Sequence, residues 1–138
     1  MTLNIPSYFK RYAWSVEKLE ENFWRSTFAN DREEDFDLYV MLDEEWVNFA
    51  VSPLVAKPAP DCQARLYATL LHLNQQMRLA AFAVDDDGDV NLLASLPRHG
   101  FAYRHFAITL DALAYYTDRL APDLARLANE PTFFASPG

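Results

Sequence analysis

From Phe36 to Leu42 every second residue is large and apolar (Phe36, Leu38, Val40, Leu42), the period-two pattern of a strand with one face on a core. Upstream, Phe23 to Phe28 is rich in aromatic residues and threonine, as strands are. Downstream, Trp46 to Ser52 repeats the alternation, and Pro53 is expected to end it. The connections, Ala29 to Asp35 and Asp43-Glu44-Glu45, are short and charged, so the three strands are predicted to form an antiparallel meander.

Helical spacing takes over on both sides. Asn4-Ile5-Pro6 reads as a helix start with Pro6 in the first turn, and Tyr8, Phe9, Tyr12 and Ala13 extend it over roughly Pro6 to Ala13. Lys57-Pro58-Ala59-Pro60 is a stiff connector, and Asp61 is placed to cap the next helix. That helix carries the stripe Cys62, Leu66, Leu70, Leu73 and Met77, widened by Tyr67 and Leu71, as suits a helix lying on a sheet. Two short strands follow, Leu79 to Val84 and Val90 to Ser95, around Asp85-Asp86-Asp87-Gly88-Asp89, where Gly88 supplies a positive φ. A last helix begins near Tyr103 with Phe106, Leu110, Leu113, Leu120, Leu124 and Leu127 on one face, and Pro122 is predicted to kink it or split it after Arg119. The tail from Asn129 to Gly138 is expected to be ordered only where Phe133 and Phe134 dock. The order αβββαββα gives an α+β fold, an antiparallel sheet of about five strands with helices, in a single domain over residues 1–138 with its core between about 5 and 128.

One feature departs from a sheet that has helices on one side and water on the other. Opposite the core-facing residues stand Tyr39 and Met41 in the second strand, Trp46 and Ala50 in the third, Leu79, Ala81 and Ala83 in the fourth and Leu93 in the fifth. An outer face should be polar. Two readings stay open: the helices divide between the faces, or a second copy or a partner closes the outer one.

Charge and composition narrow the chemistry. A net charge of −8 disfavours nucleic acid and anionic membranes, both of which call for clustered Lys and Arg. No apolar run approaches the roughly 18 residues of a membrane span, and Met1 to Tyr12 lacks the features of a signal peptide. The single cysteine, Cys62, fits a reducing compartment, so a cytoplasmic location is expected. Asp85, Asp87 and Gly88 suggest a calcium loop, but that register puts Ala83 and Ala94 where carboxylates are needed. Cys62 and His72 lie about 15 Å apart along one helix, too far for a nucleophile and its base. His72, His99 and His105 have no zinc spacing, and three glycines cannot build a phosphate-cradling loop. No catalytic residue, metal or cofactor is expected.

The segments FDLYVMLDEEWVNFAVSPLV, LYATLLHLNQQMRLAAFAVDDDGDVNLLASLP and FAYRHFAITLDALAYYTDRLAP, between Phe36 and Pro122, resemble the type III secretion chaperone-like fold. Within it the likeness is to the YbjN family of bacterial sensory-transduction regulators. The resemblance rests on hydrophobic spacing and turns rather than on a chemical motif. It implies an antiparallel sheet packed by helices, commonly a homodimer, with a role in binding protein segments or in regulation and without catalysis. Two functions follow as expectations. The first is a non-catalytic protein-binding module, chaperone-like or regulatory, acting as a homodimer on an unknown client, with Trp24, Tyr39, Met41 and Trp46 as the contact face. The second is a small-molecule sensor with an apolar pocket near Tyr103, Tyr115 and Tyr116.

Overall fold

The alternation seen from Phe36 to Leu42 becomes the central part of a six-stranded sheet. The computed structural model describes residues 3–134. In chain order the elements are α1 (Ile5–Tyr12), β1 (Glu17–Glu20), β2 (Phe23–Ala29), β3 (Asp35–Leu42), β4 (Trp46–Val55), a 3-10 turn (Pro60–Cys62), α2 (Gln63–Gln76), β5 (Ala81–Val84), β6 (Val90–Pro97) and α3 (Tyr103–Asn129). The strands lie in the order β1-β2-β3-β4-β6-β5, every pair antiparallel.

One face of this sheet carries the core. Trp24 and Phe28 of β2, Leu38, Val40 and Leu42 of β3, Val47, Phe49 and Val51 of β4, Val90 and Leu92 of β6, and Phe82 of β5 are all buried in a single cluster. The helices fill it from the same side. Phe106 of α3 meets Phe9 of α1 edge-on at 4.9 Å and Phe49 of β4 at 6.0 Å. Leu66, Leu70 and Leu73 of α2 join the cluster alongside Leu110, Leu113, Leu120, Leu124 and Leu127 of α3. The 27 residues of α3 span about 40 Å, enough to run the whole length of β4.

Local chemistry explains the element ends. Asn4 accepts a hydrogen bond from the Ser7 backbone N–H through Oδ1 at 3.0 Å, and α1 stops at Ala13 in the left-handed region. The Arg65 guanidinium donates to the carbonyls of Leu127, Glu130 and Pro131, closing the C-terminal end of α3. Gly88 holds φ +88° in the β5–β6 turn, as its position between two short strands requires.

Several expectations are corrected. The sheet has six strands, not about five. The additional one, β1, is exposed at all four positions (Glu17, Lys18, Leu19, Glu20) and so carries no apolar alternation, yet its backbone pairs with β2. β4 does not end at Pro53. It continues through an irregular register to Val55, because Leu54 and Val55 are buried. Asp61 lies inside the 3-10 turn and makes no side-chain cap. Leu71, assigned to the apolar stripe of α2, is exposed, and β5 begins at Ala81, two residues after Leu79 turns with φ +72°. Pro122 does not split α3. The backbone bond that proline removes costs about 3 kcal/mol, while Leu120, Ala121 and Leu124 are buried on either side of it, and each large apolar side chain contributes about 1.5–3 kcal/mol. In the tail, Phe133 packs against the core under the Arg126 guanidinium at 3.9 Å, Phe134 is exposed, and the residues after it lie outside those described.

Both edges of the sheet are managed. At β5, the Asn74 side chain of α2 accepts from the Phe82 N–H at 2.7 Å and donates to the Phe82 carbonyl at 3.2 Å, standing in for a strand that is not there. At the other edge, β1 presents charged side chains, which oppose pairing with a further strand.

Two predictions follow from this packing. Replacing Asn74 by Ala leaves both Phe82 backbone groups without a protein partner. At about 0.5–1.5 kcal/mol per bond, denaturant melts should register a loss of about 1–3 kcal/mol, and an unchanged midpoint would show that water replaces the amide fully. The second concerns acid. Asp43 is held below the ordinary carboxylate range, chiefly by the Glu45 backbone N–H and then by Asn48, and Asp85 likewise by Asn91 first and then by backbone N–H groups of its own turn. A depressed carboxylate contributes stability above its unfolded pKa of about 3.9, and that contribution is lost as pH falls through the lower folded value. The melting temperature should therefore drop below about pH 4, and Asp85→Asn should flatten that drop. A variant with the wild-type acid profile would remove the turn from the account.

Candidate functional site

The face of the sheet away from the helices is built from the alternate residues of the same strands. Register places Phe23, Met41, Asn48 and Ser95 in one cross-strand row, and Arg25, Tyr39, Ala50, Leu93 and Ala81 in the next. Trp46 stands at the end of β4 opposite Pro97. Among the described residues no helix crosses this side: Met41 is 48% exposed, Trp46 43% and Leu93 38%, whereas their inward neighbours Val40, Val47 and Leu92 are fully buried. The even choice left by the sequence is therefore decided, with all three helices on one face.

Phe23 and Tyr39 stack at 5.7 Å with their planes 20° apart, and with Met41, Asn48, Ala50, Leu93 and Ser95 they line a shallow, almost wholly apolar depression of about 290 Å³. The polar groups nearby are occupied with one another. Ser95 donates to Asn48 Oδ1 at 2.7 Å, Asn48 donates to Asp43 at 3.1 Å, and Thr27 donates to Asp37 at 2.8 Å. Arg25 is paired with Glu17. A hydrogen-bonded polar group offers a partner little, so what this surface presents is apolar contact.

Tyr39, Met41 and Trp46 thus share the outer face. Trp24 does not. It faces the core at 7% exposure with its indole N–H buried and without a partner, because its neighbour Phe23 takes the outward position in the pairing with β3. Two adjacent aromatic residues fit either parity, and only the pairing of Phe23 with Met41 and Trp24 with Val40 chooses between them. Phe23 therefore stands on the outer face in the place expected for Trp24, a choice that the sequence alone does not make.

The remaining candidates do not assemble. Asp85, Asp87 and Asp89 bring carboxylate oxygens within 4.8 Å of one another. Asp85 Oδ1 accepts from the N–H groups of Asp87 and Asp89, its Oδ2 from Asn91, and Asp89 from the Lys57 N–H, so two of the three carboxylates brace the turn. Cys62 is buried while His72 points to solvent from the far end of α2. His105 accepts the Ala102 N–H at the start of α3, and His99 is exposed. Tyr103 packs on Tyr8 and under Arg11, Tyr115 is exposed, and Tyr116 bonds the Arg78 backbone. Tyr103 and Tyr115 are twelve residues apart on α3, about 18 Å, too far apart to line one small pocket together. Among the described residues no helix is long and apolar enough to cross a membrane.

Comparison with known proteins agrees with this architecture. A chain of the heterodimeric ExoU–SpcU complex from the type III secretion system of Pseudomonas aeruginosa matches at 20% identity with a TM-score of 0.59, over 94% of this chain and 100% of that one. A chain of the ExsC–ExsE complex matches at 17% identity and a TM-score of 0.56, over 88% of each. A chain of the HopA1–SchA chaperone–effector complex matches at 15% and 0.55, over 80% of this chain and 84% of that one. At these identities the likeness is one of fold. No curated protein sequence matches. Residues 19–135 match the model of the TY-Chap1 family, described as T3SS (YopN, CesT) and YbjN peptide-binding chaperone 1. With the type III secretion chaperone-like fold and a match over most of its length, the chain belongs to the TY-Chap1 family of peptide-binding chaperones.

Proposed function

We propose that this protein is a non-catalytic chaperone module that receives a segment of another polypeptide on the outer face of its sheet, and that it works as a homodimer. The observation that carries the reading is the apolar face left without any helix, on which Tyr39, Met41, Trp46, Phe23 and Leu93 meet solvent. Large apolar side chains exposed together on one sheet face mark an interaction site, and they support the peptide-binding role named for the family. The solved relatives in complex with partner proteins favour the same reading.

A second exposed group supports self-association at a different place. Leu71 on α2 is 71% exposed, one turn before Asn74 and therefore on the side that meets β5, and Leu79 and Val84 are exposed around that strand. Two separate patches suit two occupants, a client on the sheet face and a second copy along the α2–β5 edge.

The test compares folding with binding. Phe106→Ala, in the core, should cost about 3–5 kcal/mol in denaturant melts. Trp46→Ala and Met41→Asp should cost much less, while lowering partner capture by about tenfold or more, as loss of an interface anchor does. If both stay folded and capture partners normally, the face is wrong. Light scattering after gel filtration should return about twice the 15.9 kDa chain mass, and Leu71→Asp should halve it while leaving capture on the face intact. A monomer mass across the concentration range would remove the dimer.

A further inference from the structure

The outer face has charged boundaries in which carboxylates outnumber cations. At one end of the strands lie Glu20 at the end of β1, Glu21 in the β1–β2 turn and Asp43-Glu44-Glu45 in the β3–β4 turn. At the other end lie Glu33 and Glu34 before β3, Asp35 at its first position, and Asp85-Asp86-Asp87 before β6. Few cations offset them. At the first end Lys18 is paired with Glu21, Arg25 with Glu17, and the Arg98 guanidinium donates to the Asp43 carbonyl at 2.7 Å; at the second stand Arg32 and Lys57, the latter packed against Gly88. The apolar depression lies between two acidic rims, and the eight residues of β3 set them about 25 Å apart.

Resting on the reading of this face as the client site, we infer that its occupant is an extended segment of another protein, apolar at alternate positions through its centre and carrying Lys or Arg at both ends. Alternation follows from the geometry of an extended chain, which turns every second side chain toward the surface it lies on. About eight residues bridge the rims at 3.3 Å each, so the basic groups stand about that far apart in the sequence of the client. Charges of opposite sign on the rims steer encounter and fix register, while the apolar centre supplies the contact energy. A second copy of this chain fits poorly. It brings its own acidic rims and a net charge of −8 against the same carboxylates. The patch is also small, with three large side chains more than a third exposed, where a stable protein–protein interface uses about 20–30 residues a side.

The experiment is fluorescence anisotropy with the full chain and three labelled synthetic peptides that share one alternating apolar centre and end in Lys, Ser or Glu. The Lys-ended peptide should bind about tenfold more tightly than the Ser-ended one at low salt, and the Glu-ended one most weakly. The gap should shrink to less than about threefold near 1 M salt, where the screening length is about 3 Å. Neutralising Glu44→Gln, Glu45→Gln, Asp86→Asn and Asp87→Asn together spares Asp43 and Asp85, which hold their turns. That variant should weaken the Lys-ended peptide several-fold and leave the Ser-ended one unchanged. Met41→Asp should weaken all three.

Equal binding of the three peptides, still lost in Met41→Asp, overturns the charge preference and leaves the face as the client site. Binding that ignores Met41→Asp overturns both. No binding by any peptide overturns the inference, and partner capture by the Trp46 and Met41 variants then judges the face separately. If scattering shows that Met41→Asp converts a dimer to a monomer, the face belongs to a second copy and the inference falls.

Discussion

Every other feature of this structure depends on the contact of one buried ring. Phe106 meets Phe9 from α1 and Phe49 from β4, and through it the first and last helices are tied to the middle of the sheet on the same side. α3 then runs along β4 to the connector, where the Ala59 N–H bonds the Ala128 carbonyl and Arg65 closes the helix end. α2 finds its place beside α3 and against β5, where Asn74 bonds the Phe82 backbone. With all three helices committed, nothing among the described residues covers the other face. The apolar outer surface is thus the complement of how the core is built.

How much of this was legible in the sequence depends on what each residue had to signal. Leu38, Val40 and Leu42 alternate with Asp37, Tyr39 and Met41, so β3 and its two faces could be read directly. Phe106, Leu110, Leu113, Leu120, Leu124 and Leu127 likewise announce α3. β1 could not be read, since Glu17, Lys18, Leu19 and Glu20 are all exposed and only backbone bonding to β2 makes them a strand. Pro53 and Pro122 misled for a common reason. Local rules treat proline as a break, whereas buried neighbours on both sides, Val51 with Leu54 and Leu120 with Leu124, hold the element together. On the candidate face, Tyr39, Met41 and Trp46 followed from parity, but the choice between Phe23 and Trp24 required the register of β2 on β3.

An exposed apolar sheet face is a hazard unless its edges are closed, because an open strand edge beside it invites a further strand and then a stack of them. Here the edge at β5 is sealed by a side-chain amide that satisfies both Phe82 backbone groups, and the other edge bears charge. The outer polar residues are paired among themselves, as Ser95 with Asn48 and Thr27 with Asp37. The face is left able to make side-chain contacts while its borders resist main-chain pairing.

Acidity completes the same logic. The carboxylates are concentrated in the turns at the two ends of the strands, where Asp43 and Asp85 also organise the hairpins by accepting backbone N–H groups. Residues that a turn needs for geometry therefore double as a charged border around an apolar surface. Two copies meeting face to face would have to bring these borders together, and screening by salt weakens that repulsion without removing it. An apolar patch on its own would favour any apolar partner, including another copy of itself. Enclosed by like charge, it discriminates, because the cost of placing carboxylate against carboxylate falls on the wrong partners while a basic-ended one is drawn in. Selectivity on this face is thus a property of its frame, and contact strength a property of its centre.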